Sequence, residues 1–294
     1  MRILISGASG LIGSALVPYL REQGHEVVTL VRRKASNLNE ISWNPGEDLD
    51  LSSYPTFDAI INLSGAGVGD KRWTDSYKSE ILNSRLSATD TLVNAISKLS
   101  TKPSLLLNAS AIGIYGDRGD TDLTEGSSRG SGFLADVVDA WESHAMRAEM
   151  FGVTVTCLRT GLVISRHGGA FGKILPIFKF GLGGPLGSGK QFWSYISMTD
   201  EVRAIEYLLH AKLSGPVNLT APRPLRNREV TKVLAEFLHR PALLPVPAIA
   251  LKVVLGEFSS DILSSSKVLP QRLTDAGFVF THQNLVSALK AELK

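Results

Sequence analysis

The sequence predicts an α/β fold, a doubly wound parallel sheet with a smaller C-terminal lobe attached. Three observations carry that reading. Short β-branched runs alternate with longer amphipathic segments through the first half of the 294 residues, as in a parallel sheet covered by helices. The first run leads directly into a glycine-rich turn at residue 7. From about residue 165 the alternation breaks at Arg166-His167-Gly168-Gly169 and at Gly181-Leu182-Gly183-Gly184-Pro185, which is flexible loop chemistry. The expected division is therefore 1–164 for the main domain and 165–294 for the smaller lobe, with the chain free to interleave between them. In doubly wound folds ligands sit beyond the carboxyl ends of the strands, so a late lobe packed there shapes substrate specificity.

Strands are expected at 2–6, 26–31, 58–63, 104–110 and 153–159, where β-branched and apolar residues concentrate. Helical periodicity is clearest at 11–23, 74–99 and 132–150; Leu11, Ala15, Leu16, Tyr19 and Leu20, for example, share one face. Each helix supplies a crossover between parallel strands. In the lobe, helices are expected after Thr199-Asp200, read as an N-cap pair, over about 227–239, and near 284–293.

Composition excludes several classes. Apolar residues make up 44% and charged residues 20%, which fits a chain that buries a core. The 31 basic and 28 acidic residues give a net charge of +3 with no basic tract, so no nucleic-acid partner is expected. The apolar stretch from Pro241 to Leu251 holds three prolines and falls short of the roughly 20 residues a bilayer span needs. Cys157 stands alone in a strand-like run, which points to a buried inert thiol and a reducing compartment. The strand pattern begins at the first residues and leaves no room for a signal segment, so a cytoplasmic location is expected.

Gly7-Ala8-Ser9-Gly10-Leu11-Ile12-Gly13 stands between the first strand and the first helix. That is the Rossmann-like setting in which the first glycine permits a tight turn and the second lets backbone N–H groups approach a pyrophosphate. The third allows the helix to pack closely on the strand. Gly7, Ser9, Gly10, Leu11, Ile12 and Gly13 are thus the candidate cofactor cradle, facing the positive end of the helix dipole. An NAD-preferring site carries an acidic residue about 20 residues further on, at the end of the second strand. Here that place reads Leu30-Val31-Arg32-Arg33. With no carboxylate to repel a 2′-phosphate and two guanidinium groups to pair with it or stack on adenine, NADP(H) is the expected cofactor. The alternative is that the two arginines only solubilise a strand end.

The third and fourth of these strands end in Ile61-Asn62-Leu63-Ser64-Gly65-Ala66-Gly67 and Leu107-Asn108-Ala109-Ser110-Ala111-Ile112-Gly113-Ile114-Tyr115-Gly116. With the glycine loop, they resemble the extended short-chain dehydrogenase/reductase superfamily. In that superfamily a Ser or Thr at this strand end polarises the substrate, and a Tyr-x-x-x-Lys on the next helix delivers the proton; Ser110 takes the first position. The second element is missing. Tyr19, Tyr54, Tyr77, Tyr115, Tyr195 and Tyr207 are followed four places on by Gln23, Asp58, Ile81, Gly119, Thr199 and Ala211, and no lysine occurs from 103 to 172. Hydride transfer to a carbonyl normally uses that acid–base pair. Tyr115 is the best remaining phenol beside Ser110, as an acid–base group or as a packing and substrate contact.

A narrower likeness covers nearly the whole chain. Trp43-Asn44-Pro45, Asp70-Lys71-Arg72-Trp73-Thr74, Ser84-Arg85, Leu158-Arg159-Thr160-Gly161-Leu162-Val163, Gly181 to Gly189 and Pro270-Gln271-Arg272-Leu273 carry it. They resemble an atypical, epimerase-like group of the superfamily, within the NAD-dependent epimerase/dehydratases, whose substrate is unassigned. The resemblance implies that Leu63, Ser64 and Gly65 line the cofactor's ribose–phosphate path and that Glu80 and Arg85 reach toward it from the next helix. The helical alternative for Glu80 and Arg85 is a solvated face. Where that group often has Trp-Ile-His, this chain reads Ser194-Tyr195-Ile196-Ser197, so the histidine's role is lost.

Two features mislead. Gly184 to Lys190 resembles a phosphate-binding loop, but Gln191 stands where a magnesium-binding Ser or Thr belongs. The six histidines never fall three to five residues apart, so their spacing supports no dedicated metal site. Two functions fit: an NADP(H)-dependent oxidoreductase or epimerase-like enzyme on a small polar substrate, or a non-catalytic NADP(H)-binding sensor that kept the loop and lost the relay.

Overall fold

The computed structural model describes residues 1–242 and 244–293. The chain begins β1 (Arg2–Ser6), α1 (Gly13–Glu22), β2 (Glu26–Val31), β3 (Glu40–Ser42), β4 (Ala59–Asn62), α2 (Asp75–Lys98), β5 (Leu105–Ala111), α3 (Phe133–Met146) and β6 (Thr154–Thr160). Their apolar runs form strands because both faces are covered. Ile3 and Ile5 of β1, Ala59 and Ile61 of β4, and Leu105 and Leu107 of β5 join one buried cluster under α1. The alternate residues Leu4, Ile60 and Leu106 join the opposite cluster under α2. That period-2 division, apolar on both sides, is what a parallel sheet between two helix layers requires.

The late half begins with α4 (Gly169–Lys179), then α5 (Met198–Ala211) and β7 (Gly215–Leu219). Next come α6 (Asn227–Leu238), α7 (Ala248–Leu255), α8 (Phe258–Leu263), α9 (Gln271–Asp275) and α10 (Leu285–Glu292), with short two- and three-residue strands between. The seven-stranded sheet runs β3-β2-β1-β4-β5-β6-β7, and every pairing in it is parallel. The strand order reverses between β1 and β4, and in open parallel sheets the crevice at that point, beyond the carboxyl ends, receives the ligand.

All five expected strands and all three early helices form, with ends shifted by a few residues. Several elements escaped the sequence reading. β3 has three residues, and β7 opens Gly215-Pro216, so neither shows a strand-length pattern. The helix α4 is disguised by Gly169, Gly172 and Pro176. Thr199-Asp200 does not cap α5: the cap is Ser197, whose hydroxyl accepts from the Asp200 backbone N–H at 3.0 Å. Ser197, standing where the resembling group has histidine, thus starts a helix.

After residue 164 the chain follows two courses. Phe171, Leu175, Trp193, Tyr195, Leu234 and Leu289 build a separate buried cluster from α4, α6, α10 and the short strands at 192–197. Between them α5 returns to the sheet, burying Val202, Ile205, Leu208 and Leu209 in the same cluster as α1, and β7 extends the edge beside β6. No helix among the described residues is long and apolar enough to cross a membrane.

Candidate active site

At the β1 exit the glycines do three different things. Gly7 has φ +73°, and a Cβ there would lie 2.6 Å from the Leu63 carbonyl; at Gly13 it would lie 2.3 Å from the Gly7 carbonyl oxygen. Any side chain at those positions displaces backbone. Gly10 is exposed, and a Cβ there would lie 3.2 Å from the Gly7 carbonyl oxygen, a tight contact with no other atom near. The helix α1 starts with no side-chain cap, and the N–H groups of Leu11 and Ile12 find no acceptor among the described residues. Uncapped donors at a helix N-terminus are what a phosphate takes up.

The loop after β4 closes against this cradle. Ser64 N–H donates to Asn62 Oδ1 at 3.2 Å. Asn62 is fully buried, accepts from Ser6 at 2.6 Å and donates to Asn108 at 2.7 Å, so one amide ties together the exits of β1, β4 and β5. Gly65 lies under Arg85: a Cβ there would meet the arginine Cγ at 3.1 Å. Arg85 donates to the Ile81 carbonyl at 2.8 Å and stacks over Trp141 at 5.0 Å, and burial lowers its pKa to about 10. Glu80 is elsewhere, exposed and paired with Lys71 at 2.9 Å. Five helical residues turn the chain through about 500°, so Glu80 and Arg85 take different faces of α2.

The two arginines after β2 also separate. Arg33 makes a bidentate pair with Glu40 at 2.7 and 2.6 Å. Hydrogen bonds from Arg33 and Ser36 hold Glu40 down to a pKa of about 2. Arg33 therefore builds the 33–40 loop, while Arg32 is exposed and has no partner among the described residues.

Ser110 lies at the carboxyl end of β5, 6% exposed, and donates to Glu142 Oε1 at 2.5 Å. Glu142 is clamped by Arg159, Nε and Nη2 each 2.8 Å from a carboxylate oxygen. Arg159 Nη1 donates to the Tyr115 hydroxyl at 3.0 Å, and that hydroxyl donates to Asn218 Oδ1 at 2.7 Å. The sheet register explains the row, since Ser110 pairs with Arg159 and Arg159 with Asn218 across β5, β6 and β7. In-register residues of neighbouring strands project to one face. Burial alone would lower the Arg159 pKa, but the Glu142 carboxylate raises it. Tyr115 is 0% exposed and its pKa is raised by burial, so its phenol is committed to this network rather than presented to a substrate.

On α3, the residues one and two turns before Glu142 are Val138 and Leu134, both apolar; Leu134 packs at Gly113. Glu142, Arg159 and Asn218 were not picked out as site residues in the sequence. The available signal was Arg159 itself, a charge inside an apolar strand run that requires a buried partner. Cys157, two residues before, is buried and its thiol pKa is pushed up by burial.

The late half of the chain approaches both loops. At Gly168 and Gly169, where α4 begins, an added Cβ would lie 3.3 Å from the Leu11 side chain. Lys173 of α4 donates to the Gly69 carbonyl, and Phe258 of α8 packs on Trp73, which meets Phe133 edge-on at 4.9 Å. One turn beyond Phe258, Asp261 has its pKa pushed up to about 6 by burial. The segment resembling a phosphate loop is structural: Gln191 is buried and donates to the Leu186 carbonyl at 3.0 Å.

Comparison with known proteins agrees with this architecture. The profile of the NAD dependent epimerase/dehydratase family matches residues 3–220, and that of Domain of unknown function (DUF1731) matches 246–292. An epimerase family protein of Mycobacterium leprae is 38% identical over 290 residues, covering 98% of this chain and 94% of its own. The human epimerase family protein SDR39U1 (isoform 2), solved with NADPH, superposes with a TM-score of 0.92 at 32% identity over 99% of each chain. A nucleoside-diphosphate sugar epimerase from Corynebacterium glutamicum gives 0.81 at 32% identity, over all of this chain and 58% of that one.

Proposed function

Because the chain belongs to the NAD-dependent epimerase/dehydratase family, we propose that it is an NADP(H)-dependent oxidoreductase or epimerase-like enzyme acting on a small polar substrate. The exposed Gly10 backbone, the free Leu11 and Ile12 N–H groups and the unpartnered Arg32 fit a dinucleotide with a 2′-phosphate. The NADPH in the human relative supports the same choice. When bound, NADP(H) supplies or accepts the hydride.

The observation that carries the catalytic part is the Ser110–Glu142–Arg159 row at the end of β5. Ser110 has one O–H and gives it to Glu142, so what it offers a ligand is its lone pairs. A substrate hydroxyl donates to Ser110 Oγ while the serine proton passes to Glu142. In the opposite direction Glu142 returns the proton through Ser110 to the substrate oxygen. Arg159 holds the carboxylate in place, and Tyr115 and Asn218 hold Arg159.

The apolar α3 face at Val138 and Leu134 favours a second reading, a non-catalytic NADP(H)-binding sensor. A crystal structure with NADPH separates the two: open space between the nicotinamide C4 and Ser110 supports the enzyme, and a side chain filling that space overturns it. For the cofactor, NADPH is expected to raise Tm more than NADH. Arg32→Ala is expected to erase a preference worth about tenfold or more in affinity. Equal shifts in the unaltered protein overturn NADP(H).

A further inference from the structure

At the opposite end of the sheet, where the strands begin, three groups that are far apart in sequence converge. His25 stands immediately before β2, and Glu206 and His210 lie four apart on the last turns of α5. One ligand atom from each lies within 4.8 Å of the other two. His210 Nε2 is 3.2 Å from Glu206 Oε1, and His25 Nε2 is 3.9 Å from the same oxygen.

The His25 side chain is 7% exposed, and its Nε2 aims at a carboxylate too distant for a hydrogen bond. At 3.9 Å the His25 ring and the Glu206 carboxylate make no direct hydrogen bond. Around a tetrahedral ion with bonds of about 2.0–2.1 Å, ligand atoms stand about 3.3 Å apart, within the range seen here.

We propose that His25, Glu206 and His210 bind a divalent transition-metal ion of the zinc type, separate from the cofactor cleft. Two imidazoles and one carboxylate are a nitrogen–oxygen set suited to zinc. His210 is 60% exposed, which leaves the remaining position to water. The ion clips α5, the helix that returns from the late half of the chain, to the start of β2. His25 Nδ1 is buried without a partner, so the ring lacks the outer hydrogen bond that strengthens metal-bound histidines. The affinity is accordingly modest.

The test uses the untagged full-length chain, titrated with zinc chloride by calorimetry and with cobalt(II) by visible absorption. The expected result is one zinc per chain, a rise in Tm with zinc, and visible cobalt bands. His210→Ala and Glu206→Gln, both at partly exposed positions, are expected to keep the metal-free Tm and to weaken zinc binding by at least about tenfold. No zinc uptake, or uptake unchanged in His210→Ala, overturns the proposal.

Discussion

Two stretches of the sheet's carboxyl edge are built by opposite means. The cradle after β1 is backbone: glycines that leave no room for side chains and uncapped N–H groups. The row at the ends of β5, β6 and β7 is side chains, Ser110, Glu142, Arg159, Tyr115 and Asn218, each satisfied by the next. A backbone site tolerates no added atoms, whereas a side-chain network tolerates no missing ones. The first fails by obstruction and the second by leaving a buried charge alone.

The largest expected effect follows from that second kind of failure. Arg159→Met strands the Glu142 carboxylate and is expected to lower stability by about 3–5 kcal/mol in denaturant melts. Adding Glu142→Leu should recover part of the loss. A double variant no more stable than the single one would show that packing rather than charge dominates the row.

Next to Arg159, Thr160 donates to Glu201, a fully buried carboxylate whose second oxygen has no partner. Burial pushes its pKa up to about 8 from 4.5. The folded state therefore holds that proton more tightly than the unfolded chain. The stability from this residue is fully present below pH 4.5 and is lost as pH rises toward about 8. Glu201→Gln, which cannot ionise, is expected to gain about 2 kcal/mol over the unaltered protein near pH 8, net of burying an amide. The gain should vanish at acidic pH; a gain independent of pH would rule out the buried carboxylate as its cause.

The smallest effect sharpens the backbone side. Gly10→Ala places a methyl 3.2 Å from the Gly7 carbonyl oxygen on an exposed turn that can shift slightly, so thermal stability should fall by no more than about 0.5 kcal/mol while NADPH affinity falls about tenfold. An equal loss of stability would mean that Gly10 serves the fold rather than the ligand.

The two regions also differ in how far they can be read in advance. Gly7, Gly10 and Gly13 are legible because their spacing between a strand and a helix is a local pattern, although the Leu63 carbonyl that also forbids a side chain at Gly7 comes from 56 residues away. Arg32 and Arg33 look equivalent in sequence, and only the folded loop shows that Glu40 takes Arg33 and leaves Arg32. Ser110 was singled out by its place at a strand end. Its partner Glu142 is 32 residues away, and Arg159 a further 17. Tyr115 was expected at the site, but β7, a strand with a weak local pattern, brings Asn218 over to claim its hydroxyl.

The sequence by itself determined the parallel sheet, its early helices, the glycine cradle and the absence of a tyrosine–lysine relay, because periodicity, glycine position and enumeration are local properties. The tertiary structure decided which charges pair, which phenol is buried, and that α5 and β7 return to the sheet. Those outcomes depend on register and long-range packing, where one residue's environment is set by segments a hundred positions away.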